Sequence, residues 1–351
     1  MTFKLKSMPE DFIVKEKHDL LEHSGDTDNA SDNNVYFLLK KKNYETFEAI
    51  TLIADYFDIH QNRIGYAGLK DCDGLTEQYI SVDSTALAES QYKKNDVIFD
   101  IVSMDNRFVR LYPTGKRGER ITVASLQGNE FNIVVRNVDY SVYRKIISHD
   151  RMSMAFVNYY DTQRFGIPGG DKITHLLGHA IEHEDYTRAV TLVNRIKDTQ
   201  DIIDRPVTSI NDFFARIDLR KIAFYRSSYS SFKWNGQLIE KLENHLNSSQ
   251  KTTEENEGVK FIFPLEVNES IEALLSDLQY KYKRHIVIDN KIVPVDTDRP
   301  AIINTCITFG HAGFDELNDG KYAFSLSFFL PSGCYATMLI KQLISRLQCN
   351  Q

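Results

Sequence analysis

A chain of 351 residues with 42% hydrophobic and 26% charged side chains has the material for packed cores, and at about 150 residues per domain it is expected to hold two. No run approaches the roughly 20 apolar residues of a membrane span, and the opening MTFKLKSMPEDF lacks the apolar core of a signal peptide, so a cytoplasmic location without membrane contact is expected. Cys72, Cys306, Cys334 and Cys349 are scattered without a C-x-x-C pair, which speaks against a disulfide framework or a cysteine zinc site, and no structural metal is expected.

Along the chain, residues 24–34 have loop composition and read as an exposed connection. Residues 44–57 place Phe47, Ile50, Ala54 and Phe57 on one helical face, with Asn43 as a cap. The β-branched, aromatic and small runs at 64–69 and 78–82 read as short strands joined by 70–77. Strand patterns follow at 97–102, 107–112 and 129–135, then mainly helical segments at 141–157, 186–197 and 235–245. A second polar connection at 247–258 precedes strands at 285–293 and 322–330 and a closing amphipathic helix over about 335–347. There is no internal repeat. Strand-rich ends around a helix-rich middle imply an α+β protein with an inserted domain.

The connection at 70–77 holds the residues with the clearest chemistry. Gly65, Ala67, Gly68 and Gly74 keep bulk low around Asp71, and Lys70 supplies a cation that favours an ionised carboxylate. A reachable carboxylate can serve as nucleophile or base. Asp and Gly are also ordinary turn residues, and on composition alone the turn is the stronger reading.

The stretch GYAGLKDCDGLTEQ resembles the catalytic segment A-G-x-K-D-x-x-A-x-T-x-Q of the TruD family of tRNA pseudouridine synthases, matched by Ala67, Gly68, Lys70, Asp71, Thr76 and Gln78. An opening F-x-V-x-E is met by Phe12, Val14 and Glu16, and a G-N-x-F strand by Gly128, Asn129 and Phe131, followed by Ile133 and Arg136. The family's N-Y-F-G-x-Q-R-F-G is similar to residues 158–166, with Gln163, Arg164, Phe165 and Gly166 retained. Residues 329–337, from Phe329 through Gly333 to Thr337, resemble its last strand and closing helix. The departures are Tyr160 and Asp161 for Phe and Gly, Cys72 for a basic residue, and Gly74 for alanine.

The resemblance implies a pseudouridine synthase catalytic domain with a mixed, largely antiparallel sheet, at 1–154 plus 305–351, interrupted by a family-specific α/β domain at 155–304. It implies isomerisation of uridine to pseudouridine in tRNA, at position 13 of the D-arm, by a cofactor-free monomer with no obligate protein partner. Asp71 is implied as the catalytic carboxylate, and Phe131 as the ring that stacks on uracil. Without the resemblance Phe131 reads as core, because Phe131, Ile133 and Val135 alternate along one strand face. Asn129 and Lys70 are implied as supporting groups. Glu16, Gln163 and Arg164 suit either site support or the organisation of a domain junction.

Two other readings fit parts of the chain. His179-Ala-Ile-Glu-His183 fits the H-x-x-E-H pattern of zinc hydrolases, with His175 one turn away. An RNA-binding or tRNA-folding protein in which catalysis is secondary is compatible with the basic groups at 40–42, 93–94, 107–110, 116–120, 144–145 and 281–284. The net charge of −7 opposes a uniformly basic surface, but together those groups suit a phosphate-facing groove.

Overall fold

The computed structural model describes residues 3–18, 33–70, 72–90, 96–122, 125–166, 170–196 and 205–349. The chain divides into two compact units, Met1–Met154 with Thr305–Gly333, and Ala155–Asn304 with Cys334–Gln351. Among the described residues no helix is long and apolar enough to cross a membrane.

The first unit is built on a large mixed sheet. Its strands are β1 (Phe12–His18), β2 (Asn34–Lys42), β3 (Ile64–Tyr66), β4 (Leu75–Asp83), β5 (Phe99–Met104), β6 (Arg107–Arg117), β7 (Leu126–Val138), β8 (Arg151–Val157), β13 (Ile302–Phe314) and β14 (Tyr322–Pro331). Their order is β5-β6-β2-β4-β1-β7-β14-β13-β8, with β3 on β4. The pairing of β1 with β4 is parallel, while β1–β7, β2–β4, β2–β6 and β7–β14 are antiparallel, so the α+β class and largely antiparallel sheet hold. Helix α1 (Thr46–Phe57) lays Ala49, Ile50, Ile53 and Phe57 over Val35, Phe37, Leu39, Ile80 and Val82. Apolar surface removed from water in this cluster contributes about 25 cal/mol per Å² to the stability of that end of the sheet.

Several local expectations need correction. Asn43 is not the helix cap: it sits in the left-handed region at φ 54°, and its amide donates to the Asn106 carbonyl at 2.9 Å. Glu45 occupies the cap position, and Phe47 points outward at 55% exposure. The strand read at 64–69 ends at Tyr66, and β4 starts at Leu75, inside the expected connection. Helix α2 (Ser84–Ala88) follows β4 directly. Residues 141–157, read as one helical segment, divide into helix α3 (Tyr140–Ile146) and strand β8, where Met154 and Phe156 point inward.

The second unit holds helices α4 (Thr174–Glu182), α5 (Tyr186–Ile196), α6 (Ile210–Arg216), α7 (Leu219–His245), α8 (Glu269–Ser276) and α9 (Ala336–Cys349). Helix α7 serves two cores. Ile222 and Tyr225 pack with Leu177, Ile181, Val193 and Phe213, whereas Trp234, Leu238 and Leu242 pack with Phe261, Phe263 and Met338. Gly178 permits the approach of α4 to α7, since a Cβ there would lie 2.0 Å from the Tyr225 carbonyl oxygen. The polar connection expected at 247–258 contains strand β9 (Lys251–Asn256), paired with β10 (Val259–Pro264). Glu257 and Gly258 turn the chain at φ 50° and 77°, the positive pair that a two-residue hairpin of right-handed twist requires. The single strand read at 285–293 is likewise a hairpin, β11 (Lys283–Ile288) and β12 (Lys291–Asp296), turned by Asp289 and Asn290.

Candidate active site

Strand pairing lays two rows of side chains across one face of the first unit's sheet. Lys41 pairs with Thr76, Thr76 with Val14, Val14 with Phe131, and Phe131 with Phe328. Two residues along, Leu39 pairs with Gln78, and Glu16 pairs with Asn129, itself opposite Leu330. The period of two puts each such set on the same side of the sheet. Glu16, more than a hundred positions from Asn129 and Phe131 in the chain, thereby becomes their neighbour.

Asp71 lies outside the described residues. The backbone that leads into it is tied down from three elements. Lys70 N–H donates to Thr46 Oγ1 at 2.9 Å, the Thr46 hydroxyl donates to Gln78 Oε1 at 3.3 Å, and Gln78 Nε2 donates to the Gly68 carbonyl at 3.4 Å. Lys41, fully buried, donates from Nζ to the carbonyls of Tyr44 at 2.9 Å and Lys70 at 3.3 Å. The Lys70 ammonium turns back to Glu16, with Nζ 2.5 Å from Oε1.

Glu16 is 5% exposed. Its Oε2 accepts from His18 Nε2 at 2.8 Å and from the Tyr79 N–H at 3.1 Å. Burial alone pushes this carboxyl up. The His18 hydrogen bond, the Lys70 charge and the Lys70 hydrogen bond outweigh that effect and hold its pKa below the usual glutamate value. Glu16 is thus an anion at neutral pH that fixes the Lys70 side chain.

Beside this pair, Asn129 Oδ1 and Thr76 Oγ1 are buried and have no hydrogen-bond partner among the described residues. Phe131 is 6% exposed, stacked on Phe328 at 5.3 Å with the Phe12 ring edge-on at 6.2 Å. It is therefore packed against neighbouring rings, as the alternation of its strand suggested.

Gln163 and Arg164 belong to the second unit. Arg164 Nε donates to Ser231 Oγ at 3.1 Å and Nη2 to the Tyr282 hydroxyl at 3.3 Å, with its guanidinium against the rings of Phe224 and Tyr160. Gln163 is exposed.

Lys41, Thr46 and His18 were not singled out from the sequence. A signal for Lys41 was present: it follows Val35, Phe37 and Leu39 at a spacing of two, so it continues an apolar strand face inward. The Cys72 thiol is pushed up, first by burial and then by Asp73, which disfavours a thiolate there.

The zinc-hydrolase pattern is spread over different surroundings. His175 is buried between Phe165 and Phe232, and burial pushes it down to about 4. His179 and His183 stack on each other at 4.1 Å, while Glu182 is held by Lys233 at 3.1 Å. Among the described residues no three His, Cys, Asp or Glu side chains are grouped as a metal site.

Residues 1–257 match the family model described as tRNA pseudouridine synthase D (TruD). The chain belongs to the TruD family. It is 26% identical to the protein of Methanococcus maripaludis named "Probable tRNA pseudouridine synthase D 1", over 98% of this chain and all of that one. It is 25% identical to tRNA pseudouridine synthase D of Aquifex aeolicus, over 98% of each chain. A TruD crystal structure from Methanosarcina mazei has the same fold, with TM-score 0.54, 20% identity and coverage of 98% of this chain and 94% of that one. TruD enzymes are isomerases, and this chain is one of them by family. Where it departs from the TruD pattern, its residues are integrated locally. A Cβ at Gly74 would meet the Phe12 carbonyl oxygen at 2.7 Å. Asp161 accepts from the Thr162 N–H at 2.7 Å and from Lys341 at 2.6 Å, and also binds the Thr337 hydroxyl.

Proposed function

We propose that this protein converts uridine to pseudouridine at position 13 in the D-arm of tRNA, with Asp71 as the catalytic carboxylate and without cofactor. It acts as a cytoplasmic monomer. The observation that carries this reading is the buried Glu16–Lys70 pair at the end of the motif segment, in a chain whose residues 1–257 match the TruD family.

The reaction breaks the bond from uracil N1 to ribose C1′, turns the base, and joins C5 to C1′; the C5 proton leaves and N1 ends protonated. Asp71 either attacks C1′ or removes a sugar proton on the way to a glycal. Two buried ammonium groups hold the backbone just before it in place: Lys41 bonds the Lys70 carbonyl, and the Lys70 side chain is paired with Glu16. Glu16 is a positioning residue that holds Lys70. The Asn129 amide, with its unpaired buried oxygen among the described residues, is suited to bind polar groups of the nucleotide. Phe131, one side of whose ring is stacked on Phe328, offers the other side to the extruded uracil, whose removal from its stack costs on the order of a few kcal/mol. Arg164 organises the second unit around Ser231 and Tyr282, and the exposed Gln163 is a supporting group.

The test is pseudouridine mapping of tRNA from cells lacking the gene, with rescue by wild-type protein or the Asp71→Asn variant. Loss at one D-arm uridine, restored only by wild type, supports both reaction and residue. An unchanged map overturns the assignment of substrate. Rescue by Asp71→Asn overturns the role of the carboxylate and favours an RNA-binding function.

A further inference from the structure

The second unit carries a group of cations for which the catalytic reading has no use. In the first unit, Lys40, Lys42, Arg107 and Arg110 are each matched to an acid, namely Glu77, Glu10, Glu48 and Asp100. The basic run at the start of β11 differs. Lys281, Lys283 and Arg284 are exposed and make no ion pair among the described residues, although Asp296 stands opposite Lys283 in the hairpin register.

This run is held firmly in place. The N–H of Lys283 donates to Ser230 Oγ at 2.9 Å and that of His285 to Ser227 Oγ at 2.8 Å, which fixes the root of the hairpin on α7. On α7 itself, Arg226 has a buried Nε without a hydrogen-bond partner among the described residues. The His285 imidazole registers the local charge: its pKa is lowered by burial, supported by Glu182 and lowered further by Arg226, Lys233 and Lys283. Arg226, Lys233 and Lys283 all act on this ring, and of the three Lys233 is paired with Glu182 at 3.1 Å.

Aromatic groups are interleaved with these charges. Lys233 lies over the rings of Tyr229 at 4.5 Å and Tyr280 at 4.9 Å, and His179 meets Tyr229 edge-on at 5.0 Å. Cations mixed with aromatic faces on a rigid support are the arrangement by which proteins track a nucleic-acid backbone. The H-x-x-E-H residues thereby acquire a place in a surface patch.

We propose that the face formed by α7 and the β11–β12 hairpin binds the RNA phosphate backbone, with Lys281, Lys283, Arg284 and Arg226 as the phosphate contacts. The proposal rests on the reading of the protein as an enzyme acting on tRNA. It adds a substrate-gripping surface on the second unit.

The experiment compares wild type, the triple variant Lys281→Ala/Lys283→Ala/Arg284→Ala, and the control Lys42→Ala/Arg107→Ala, for binding of a tRNA transcript across salt concentrations and for pseudouridine formation. All three hairpin side chains are exposed, so their removal leaves the core untouched. Each lost phosphate contact makes the slope of log K against log salt shallower by about 0.7 to 0.9. The triple variant is expected to lose about 2 to 3 in slope and to bind roughly tenfold or more weakly near 0.15 M salt, with KM raised and kcat within about twofold of wild type. The control keeps the wild-type slope. A triple variant with wild-type slope and affinity overturns the proposal, as does one that loses kcat while binding normally. If wild type binds tRNA with a slope that the triple variant loses, yet forms no pseudouridine, the surface stands and the enzymatic reading falls.

Discussion

Glu16 shows how one buried carboxylate can organise a loop. It accepts from the backbone of β4, from His18 on its own strand and from Lys70, so its removal leaves an ammonium without its anion. Glu16→Gln is expected to destabilise the fold by about 3 kcal/mol, within the range for breaking a buried pair. Mislocation of the segment before Asp71 is expected to lower kcat about a hundredfold with a smaller change in KM; urea unfolding and single-turnover rates measure the two effects. The sign of the pH effect follows from the lowered pKa. Glu16 contributes its stability above its unfolded value of 4.5 and loses it as pH falls through the lower folded value. Lys41→Met keeps an unbranched side chain one atom shorter but strips the Tyr44 and Lys70 carbonyls of a donor. It is expected to cost about 2 kcal/mol and to depress kcat at least tenfold; a variant with full activity would limit Lys41 to a structural role.

At the scale of elements, alternation along strands was legible and handedness of turns was not. The face of β7 at Phe131, Ile133 and Val135 is readable from the chain because period two reflects burial directly. The hairpins turning at Glu257-Gly258 and Asp289-Asn290 are obscured because β9 is polar throughout, β11 and β12 mix charged with apolar residues, and the turns are two residues long. Helix α3 and strand β8 were merged into one helix for a related reason: apolar residues recur through 141–157 at spacings compatible with either period. Packing between helices adds a constraint that periodicity does not carry. Gly178→Ala would set a methyl group 2.0 Å from the Tyr225 carbonyl oxygen and force α4 away from α7. A loss of about 1 to 3 kcal/mol is expected, measured as a lower urea midpoint with unchanged m-value.

For the molecule as a whole, acid is the expected weakness. His175 is held neutral by burial, with a folded value of about 4 against 6.5 when free. The unfolded chain binds the proton between those values, so stability is complete above 6.5 and falls as pH drops towards 4, by about 3 kcal/mol from this residue. His175→Phe, which retains an aromatic ring between Phe165 and Phe232, is expected to flatten that part of the stability profile. Denaturant unfolding from pH 7 to 4 tests it; an unchanged slope would assign the acid sensitivity to the carboxylates. By itself the sequence determined the family, the α+β class and the residues of the motif, because these depend on residue identity at fixed spacing. The tertiary structure alone decided that Lys41 and Thr46 reach the backbone before Asp71, that Glu16 sits opposite Asn129, and that some basic runs are neutralised while the one at 281–284 is not. Those relations join positions distant in the chain, and only strand register and packing bring such groups within hydrogen-bond or Coulomb range.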